Sequence, residues 1–346
     1  MSRPTMKALV LDRAGGAFRE AELDRPVPGP GQVLVRVAAS GVNPLDLKIR
    51  AGEAAHARHP APGVLGLDLA GLVEAVGQDV VAFQAGDRVF GMTGGVGGIQ
   101  GSLATHAAVD ARLLAPAPER LTLREAAALP LVSITAWEGL VDRARVEPGQ
   151  KVLVLGGGGG VGGVAVQIAK AMGAEVFAVD GQEKEALLTE LGVVAIDRRR
   201  DVHDYVAEHT GGLGFDLVYD TVGGHGLDLS FQAVRRFGHV VSCLGWGTHA
   251  LAPLSFKAAT YSGVFTLLPL LTGEGRAHHG EILREISRLA DRGQLRPVLD
   301  PTRFVFAEAA AAHDWIAGRR STGKVVVEIS ADATDRAAPP LRKGEL

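Results

Sequence analysis

The stretch that decides the fold consists of Val152-Leu-Val-Leu155, the glycine-rich segment 156–163 and Val164-Ala-Val-Gln-Ile-Ala-Lys-Ala-Met172. Its first part is typical of a buried β-strand and its last part of an apolar helix face. Between them, Gly157, Gly159 and Gly162 satisfy the G-x-G-x-x-G spacing in the order strand, turn, helix. These glycines permit a tight turn, close approach of backbone to a pyrophosphate, and close helix packing. The stretch therefore predicts a dinucleotide site, with a merely flexible glycine loop as the alternative.

The residues after the glycines bear on the choice of dinucleotide. A helix starting near Gly160 and Val161 offers N–H groups to phosphates. Asp180 closes the next predicted strand, where a carboxylate accepts hydrogen bonds from the adenosine ribose and repels a 2'-phosphate. Lys184 and Arg198 follow, and either cation is able to pair with a 2'-phosphate. We expect NAD(P)H as the cofactor, with a slight preference for NAD(H).

Composition narrows the classes of function. The chain has 346 residues, 47% hydrophobic and 22% charged, with a formal net charge of -3. This balance predicts a globular protein of two domains and gives no basic field for nucleic acid. No apolar run has the length of a membrane helix, and the N-terminal residues lack the order of a signal peptide. With Cys243 as its single cysteine, the chain is expected to be cytoplasmic.

The pattern along the chain changes near Pro130. Before it, short β-type runs alternate with Gly and Pro turns, which predicts a β-rich domain. After it, strands alternate with helical stretches, which predicts an α/β fold with a doubly wound parallel sheet. We assign His239–Leu244 and the apolar stretch 263–271 to the end of that sheet. The charged, proline-containing residues 331–346 predict a flexible tail.

Several further motifs identify a family resemblance. They are Gly41-Val-Asn-Pro-Leu-Asp46, Gly66-Leu-Asp-Leu-Ala-Gly71, Gly86-Asp-Arg-Val89, Thr135-Ala-Trp137, Phe215-Asp-Leu-Val-Tyr-Asp220 and Gly323-Lys-Val-Val326. With the glycine motif, they resemble the medium-chain dehydrogenase/reductase superfamily in its zinc-independent quinone oxidoreductase and enone reductase branch. The resemblance implies a GroES-like substrate domain from 1–132 and 275–346, a Rossmann domain at 133–274, a cleft where nicotinamide meets substrate, and a homodimer.

Two positions depart from the zinc-dependent members of that superfamily. Those members carry a cysteine where this chain has Asn43, and Gly-His-Glu where it has Gly66-Leu67-Asp68. Neither Asn43 nor Leu67 is a ligand of the thiolate, imidazole or carboxylate kind that zinc requires. His56 and His59 have a spacing compatible with a metal, but they lie in a predicted loop without further ligands. We therefore expect no metal site.

Without a metal, an already electrophilic substrate is the easier hydride acceptor. This reasoning predicts NAD(P)H-dependent reduction of a quinone or an α,β-unsaturated carbonyl. Asn43 is the first catalytic candidate, because its amide can donate to a carbonyl oxygen and the resemblance places it at the former metal position. Its alternative role is a turn residue before Pro44. Asp46 and Lys48 are further catalytic candidates from their spacing.

The resemblance also implies residues for the nicotinamide half of the cofactor, namely Thr135, Leu244 and Phe265. For Thr135, a simple helix N-cap is the alternative. Two other functions remain open: a dinucleotide-binding redox sensor or RNA-binding module with little catalysis, and an alcohol dehydrogenase-like enzyme. Turnover of quinones or enones separates the first of these from our hypothesis, and metal-dependent alcohol oxidation would favour the second.

Overall fold

A computed structural model describes residues 4–330, in two compact units. The second unit is Val132–Thr266, and the first unit consists of the described residues on either side of it. The second unit ends at Thr266. The Rossmann domain at 133–274 that the resemblance implies stays a prediction. The predicted tail at 331–346 lies outside the described residues. Within 4–330, no helix combines the length and apolar composition needed to cross a membrane.

The strands of the described chain are numbered in chain order. They are β1 Thr5–Leu11, β2 Phe18–Asp24, β3 Gln32–Gly41, β4 Gly63–Val64, β5 Asp68–Val76, β6 Arg88–Met92, β7 His106–Asp110, β8 Leu114–Pro116, β9 Lys151–Leu155, β10 Glu175–Asp180, β11 Val194–Asp197, β12 Phe215–Asp220, β13 Val234–Ser242, β14 Thr260–Gly263, β15 Phe304–Val305 and β16 Val326–Glu328.

The α-helices are numbered in the same way. They are α1 Pro44–Ala51, α2 Leu123–Ala127, α3 Pro130–Trp137, α4 Gly160–Ala171, α5 Glu185–Glu190, α6 Val202–Thr210, α7 His225–Ala233, α8 Ala252–Lys257, α9 Leu268–Thr272, α10 Arg276–Asp291 and α11 Ala309–Ala317. A π-helical turn, Glu138–Arg143, follows α3, and a 3-10 turn, Gln182–Lys184, precedes α5.

The first unit is rich in β-structure. One sheet has the order β2-β1-β4, and the other has the order β15-β16-β3-β5-β6-β8, with β7 also pairing with β3. The central strand β3 pairs antiparallel with β16, so that Val326 lies opposite Gly41. A strand from the C-terminal part of the described chain therefore completes the sheet that the N-terminal part begins.

The second unit contains one six-stranded sheet in the order β11-β10-β9-β12-β13-β14. Every neighbouring pair in it is parallel. The order reverses between β9 and β12, which is the topological switch point of the doubly wound Rossmann fold. Its core includes Leu153, Phe177, Phe215 and Phe231, each at most 2% exposed. The predicted α/β fold class is confirmed.

Two predicted elements at the end of this sheet differ from the structure. Strand β13 begins at Val234, ahead of the predicted His239, and passes through the exposed Phe237, whose φ is 58°. This irregular residue hides the alternating pattern. The sixth strand, β14, ends at Gly263, where the predicted apolar stretch begins. Helix α9 forms later in that stretch, because Pro269 suits a first helical turn.

Candidate functional site

The predicted glycine motif joins β9 to α4 at the switch point. Gly159 is the N-cap of α4 and has no side-chain cap, and Gly159 and Gly160 are both exposed. A Cβ on Gly162 would collide with the carbonyl oxygen of Gly156, and a Cβ on Gly157 would lie 2.6 Å from the Cβ of Ala178. The backbone is therefore packed at a distance that only glycine allows. This arrangement fits a pyrophosphate at the N-terminus of a helix.

Asp180, at the end of β10, holds this loop in place. Its Oδ2 accepts a hydrogen bond from the N–H of Gly158 at 2.7 Å, and its Oδ1 accepts one from the N–H of Gly181 at 2.8 Å. Because each carboxylate oxygen has two lone pairs, both oxygens retain capacity for ribose hydroxyls. Asp180 thus joins the phosphate-binding loop to the position expected for the adenosine ribose.

The predicted cations lie near Asp180 in different surroundings. The side chain of Lys184 lies over Gly158, because a Cβ added to Gly158 would be 2.8 Å from the Cγ of Lys184. The N–H of Arg198 donates to the carbonyl of Asp180 at 2.8 Å, while its guanidinium is 4.0 Å from Glu183 and 66% exposed. Arg199 instead pairs with Asp197. Lys184 and Arg198 are therefore the predicted cations that the structure brings beside Asp180.

Asp220 organises the other half of the same edge, where β12 and β13 end. It is fully buried, and its carboxylate accepts hydrogen bonds from the N–H groups of Val222 and Gly223 and, at 2.7 Å, from the hydroxyl of Ser242. The Ser242 hydroxyl in turn accepts from the N–H of Leu244 at 3.0 Å. Asp220 lies in one of the family motifs, but no role is predicted for it from sequence. A polar residue at the end of a buried strand was the available signal.

Predicted nicotinamide-side residues lie in this unit as well. Thr135 lies within α3 and is 6% exposed, so it is not an N-cap. Its hydroxyl is 3.1 Å from that of Thr266, and its carbonyl accepts from Tyr219 at 2.7 Å. Phe265 follows β14 and is 37% exposed. Leu244 and Phe265 therefore belong to the carboxyl edge of the sheet, while Thr135 contacts the residue next to Phe265.

A buried polar cluster occupies the first unit where α1 begins. Asn43 donates its side-chain N–H to Asp68 at 2.9 Å, and its Oδ1 accepts from the ammonium of Lys324 at 2.6 Å. The backbone N–H of Asn43 donates to Asp46 at 2.8 Å. Asn43, Asp46 and Asp68 are each at most 1% exposed. The structure thus brings together two predicted residues, Asn43 and Asp46, with Asp68 and Lys324, for which no role is predicted from sequence.

Burial shifts the pKa values of the ionisable groups in this cluster. Burial raises the pKa of Asp46 to about 7, opposed by its hydrogen bond with Asn43. Burial also raises the pKa of Asp68 to about 6, against the attraction of Lys324, whose own pKa burial lowers. The Oδ1 of Asp46 is buried with no hydrogen-bond partner. A protonated Asp46 carboxyl therefore suits this cluster better than a charged one.

Lys48 and the histidine pair lie outside the cluster. Lys48 is exposed on α1. His59 places its Nδ1 3.0 Å from the carbonyl of Gly95, and His56 is exposed. Across residues 4–330, no three His, Cys, Asp or Glu side chains converge in a group able to hold a metal ion.

Comparison with known protein families gives two separate matches, one on each side of residues 120–190. Residues 29–119 match the alcohol dehydrogenase GroES-like domain, and residues 191–327 match a family described as zinc-binding dehydrogenase. A solved alcohol dehydrogenase superfamily protein from Novosphingobium aromaticivorans is 60% identical, with a TM-score of 0.93, covering 94% of this chain and 100% of that one.

Some relatives have reductase or oxidoreductase names, and others are polyketide synthases. The quinone oxidoreductase of Sus scrofa is 31% identical over 89% of this chain and 92% of its own length. The chloroplastic NADPH-dependent alkenal/one oxidoreductase of Arabidopsis thaliana is 32% identical over 93% and 79%. Other relatives are much longer: the chain spans 15% of a mycocerosic acid synthase-like polyketide synthase of Mycobacterium tuberculosis, at 34% identity.

These matches and the site together define the class. The chain belongs to the medium-chain dehydrogenase/reductase superfamily of oxidoreductases, in its quinone oxidoreductase and enone reductase branch.

Proposed function

We propose that this chain transfers hydride from NAD(P)H, without zinc, to a quinone or an α,β-unsaturated carbonyl. The observation that carries the proposal is the contact of Lys324 with Asn43. The superfamily resemblance places a zinc-ligating cysteine at position 43, and here the ammonium of Lys324 donates to Asn43 at 2.6 Å. A second cation at that position would be repelled by Lys324 and would find no thiolate. The names of the quinone and alkenal/one oxidoreductase relatives support the same substrate class.

The nicotinamide cofactor would supply the hydride, and the residues of the chain would bind and orient it. The loop from Gly157 to Gly162 would hold the pyrophosphate, and Asp180 the adenosine ribose, with Lys184 and Arg198 beside it. Thr135, Leu244 and Phe265 would contact the nicotinamide half. We retain the slight preference for NAD(H), on the charge of Asp180.

The three predicted catalytic residues take different proposed roles. Asn43 and Asp46 are buried, which supports a positioning role through α1 and β5 in place of direct contact with substrate. Lys48 is exposed and is the candidate for donating to a developing oxyanion. We therefore expect Lys48→Ala to lower kcat, and Asn43→Ala to lower kcat more than it weakens cofactor binding.

The test is steady-state oxidation of NADH and NADPH in the presence of a metal chelator, against a panel of quinones and unsaturated ketones and aldehydes. Turnover that survives chelation and repeated dialysis supports the proposal. Activity that appears only after zinc is added, or only with alcohols and the oxidised cofactor, would overturn it. We also propose a homodimer, as the family resemblance implies, and light scattering of the full chain at working concentration tests that.

A further inference from the structure

Two aromatic rings lie exposed at the carboxyl edge of the parallel sheet. Trp246 follows β13 and is 56% exposed, and Phe265 follows β14 and is 37% exposed. Their ring centroids are 6.1 Å apart and their planes are nearly perpendicular, at 89°. The other tryptophans, Trp137 and Trp315, are only partly exposed. Phe237 is more exposed as a single ring, at 77%, but Trp246 and Phe265 lie together and form a contiguous apolar patch at the carboxyl edge of the sheet, which fits a binding role.

The loop that carries Trp246 is fixed on both sides of the ring. On one side, Gly245 packs so closely against the hydroxyl of Tyr261 that a Cβ would collide with it. On the other, the Nδ1 of His249 lies 2.8 Å from the carboxylate of Asp228 on α7, and its Nε2 lies 3.4 Å from the carbonyl of Trp246. The backbone that carries the ring is therefore held in place before any ligand arrives, which lowers the entropy lost on binding.

The location of the two rings in the sheet indicates which ligand they would contact. In doubly wound sheets, ligands bind outside the carboxyl ends of the strands, and the second half of the sheet takes the end of the dinucleotide remote from the adenosine. Trp246 and Phe265 belong to that half, whereas Asp180 belongs to the first. An indole face is electron-rich, and an aryl ring conjugated with a carbonyl is electron-poor, so the two attract when they stack.

Resting on the function proposed above, we propose that Trp246, with Phe265 at its edge, forms an aromatic wall that binds an aryl ring conjugated with the substrate's reducible double bond. The substrate class is thereby narrowed to aryl-conjugated carbonyls. His249 is a positioning residue, because it acts on the wall through the loop of Trp246.

A pair of substrates that differ only in the ring tests this assignment. They are 4-phenyl-3-buten-2-one and 4-cyclohexyl-3-buten-2-one, assayed with wild type, Trp246→Leu and Phe237→Leu. Phe237 is a matched control, since it is also an exposed aromatic residue, at 77%, but lies in the early part of β13 and not in the loop that follows the strand. Loss of one aromatic contact predicts a rise of about three- to ten-fold in KM for the phenyl substrate in Trp246→Leu.

The remaining measurements decide what the ring contacts. We expect the KM for the cyclohexyl substrate and for NAD(P)H to stay within about twofold in Trp246→Leu, and Phe237→Leu to match wild type. An equal rise in KM for both enones would overturn the aromatic wall, because it would mean that Trp246 provides only a nonspecific apolar contact. A rise confined to the KM for NAD(P)H would overturn it in favour of a wall for the cofactor. An effect of Trp246→Leu that depends on protein concentration would overturn it in favour of a contact between copies.

Equilibrium dialysis separates this proposal from the proposed function. If wild type reduces neither enone, the proposed function fails for this class, and the Kd of 4-phenyl-3-buten-2-one is then compared between wild type and Trp246→Leu. A wild-type Kd at least threefold lower supports the wall without any turnover. Equal Kd values in the two proteins would overturn it.

Discussion

The ammonium of Lys324 lies 2.6 Å from Oδ1 of Asn43, although 281 residues separate them in sequence. The same ammonium donates to the carbonyl of Val42 at 3.1 Å and lies 3.9 Å from Asp68. One cation thus satisfies a backbone carbonyl, an amide oxygen and a buried carboxylate. Such a group stabilises the first unit only as long as all its partners are present.

Replacing Lys324 with Met should therefore destabilise the protein strongly. The substitution keeps most of the side-chain volume but leaves Asp68 and two oxygens without their cation, and removing one partner of a buried ion pair costs about 3–5 kcal/mol. Urea unfolding followed by circular dichroism measures the change. Lys48→Met is the control, because Lys48 is an exposed lysine of the same unit. Equal stability of the two variants would contradict the role of Lys324.

Replacing Asp46 with Asn should stabilise the protein increasingly as pH rises from 5 to 8. The pKa of Asp46 is raised to about 7 in the folded state from 3.8, so its favourable contribution is present at low pH and is lost as pH rises through 7. Asn keeps an acceptor for the N–H of Asn43 and never acquires the charge. The expected gain at pH 8 is about 2–4 kcal/mol in the free energy of unfolding.

The control for this pH series is Asp12→Asn. Asp12 is exposed, and its hydrogen bond with Arg19 lowers its pKa, so it is already ionised throughout this range. We expect the difference between Asp12→Asn and wild type to stay constant from pH 5 to 8. A constant difference for Asp46→Asn as well would mean that Asp46 is charged in the folded protein.

Gly162→Ala should weaken cofactor binding and also lower the melting temperature. The added Cβ would meet the carbonyl oxygen of Gly156 and push α4 away from the loop that approaches the pyrophosphate. We expect a Kd for NADH or NADPH at least about tenfold higher, with a loss of about 1–3 kcal/mol in stability. Calorimetry gives both values.

Gly163→Ala is the matched control for that variant. Gly163 is the next residue of α4, but a Cβ added to it would have the carbonyl oxygen of Gly157 as its nearest neighbour, at an ordinary 3.8 Å. Its Kd should remain within about twofold of wild type. Loss of binding in both variants alike would indicate general sensitivity of the helix rather than a close contact at Gly162.

Asp180→Ser should shift cofactor use toward NADPH. Removing the carboxylate removes its repulsion of a 2'-phosphate and leaves Lys184 and Arg198 beside that position, so the ratio of kcat/KM for NADPH to that for NADH should rise by about tenfold. Asp180→Asn separates charge from loop support, because an amide oxygen still accepts from the N–H of Gly158. If the ratio stays unchanged in both variants, Asp180 has no part in cofactor choice.

The second unit was predictable from sequence to a greater extent than the polar cluster of the first. The strand, glycine turn and helix around Gly157 are consecutive in the chain, so local spacing alone predicts their geometry, and strand β9 contains the whole predicted run 152–155. The partners of Asn43 lie 25 and 281 residues away. No spacing rule links residues at such distances. The two members of the cluster that were predicted are Asn43, from the family resemblance, and Asp46, from its spacing after Asn43.

The placement of β16 beside β3 has a consequence for how the protein is made. The residues of the second unit are contiguous, so all of them leave the ribosome while the last part of the chain is still being synthesised. The first unit lacks β16 until Val326–Glu328 emerges to pair with β3. Domains commonly fold in the order of synthesis, but here residues 39–41 of β3 lack their second partner until a strand almost 300 residues later is made, while residues 32–36 pair with β7. A nascent chain halted before residue 324 would therefore hold the complete second unit and a first unit that still lacks β16.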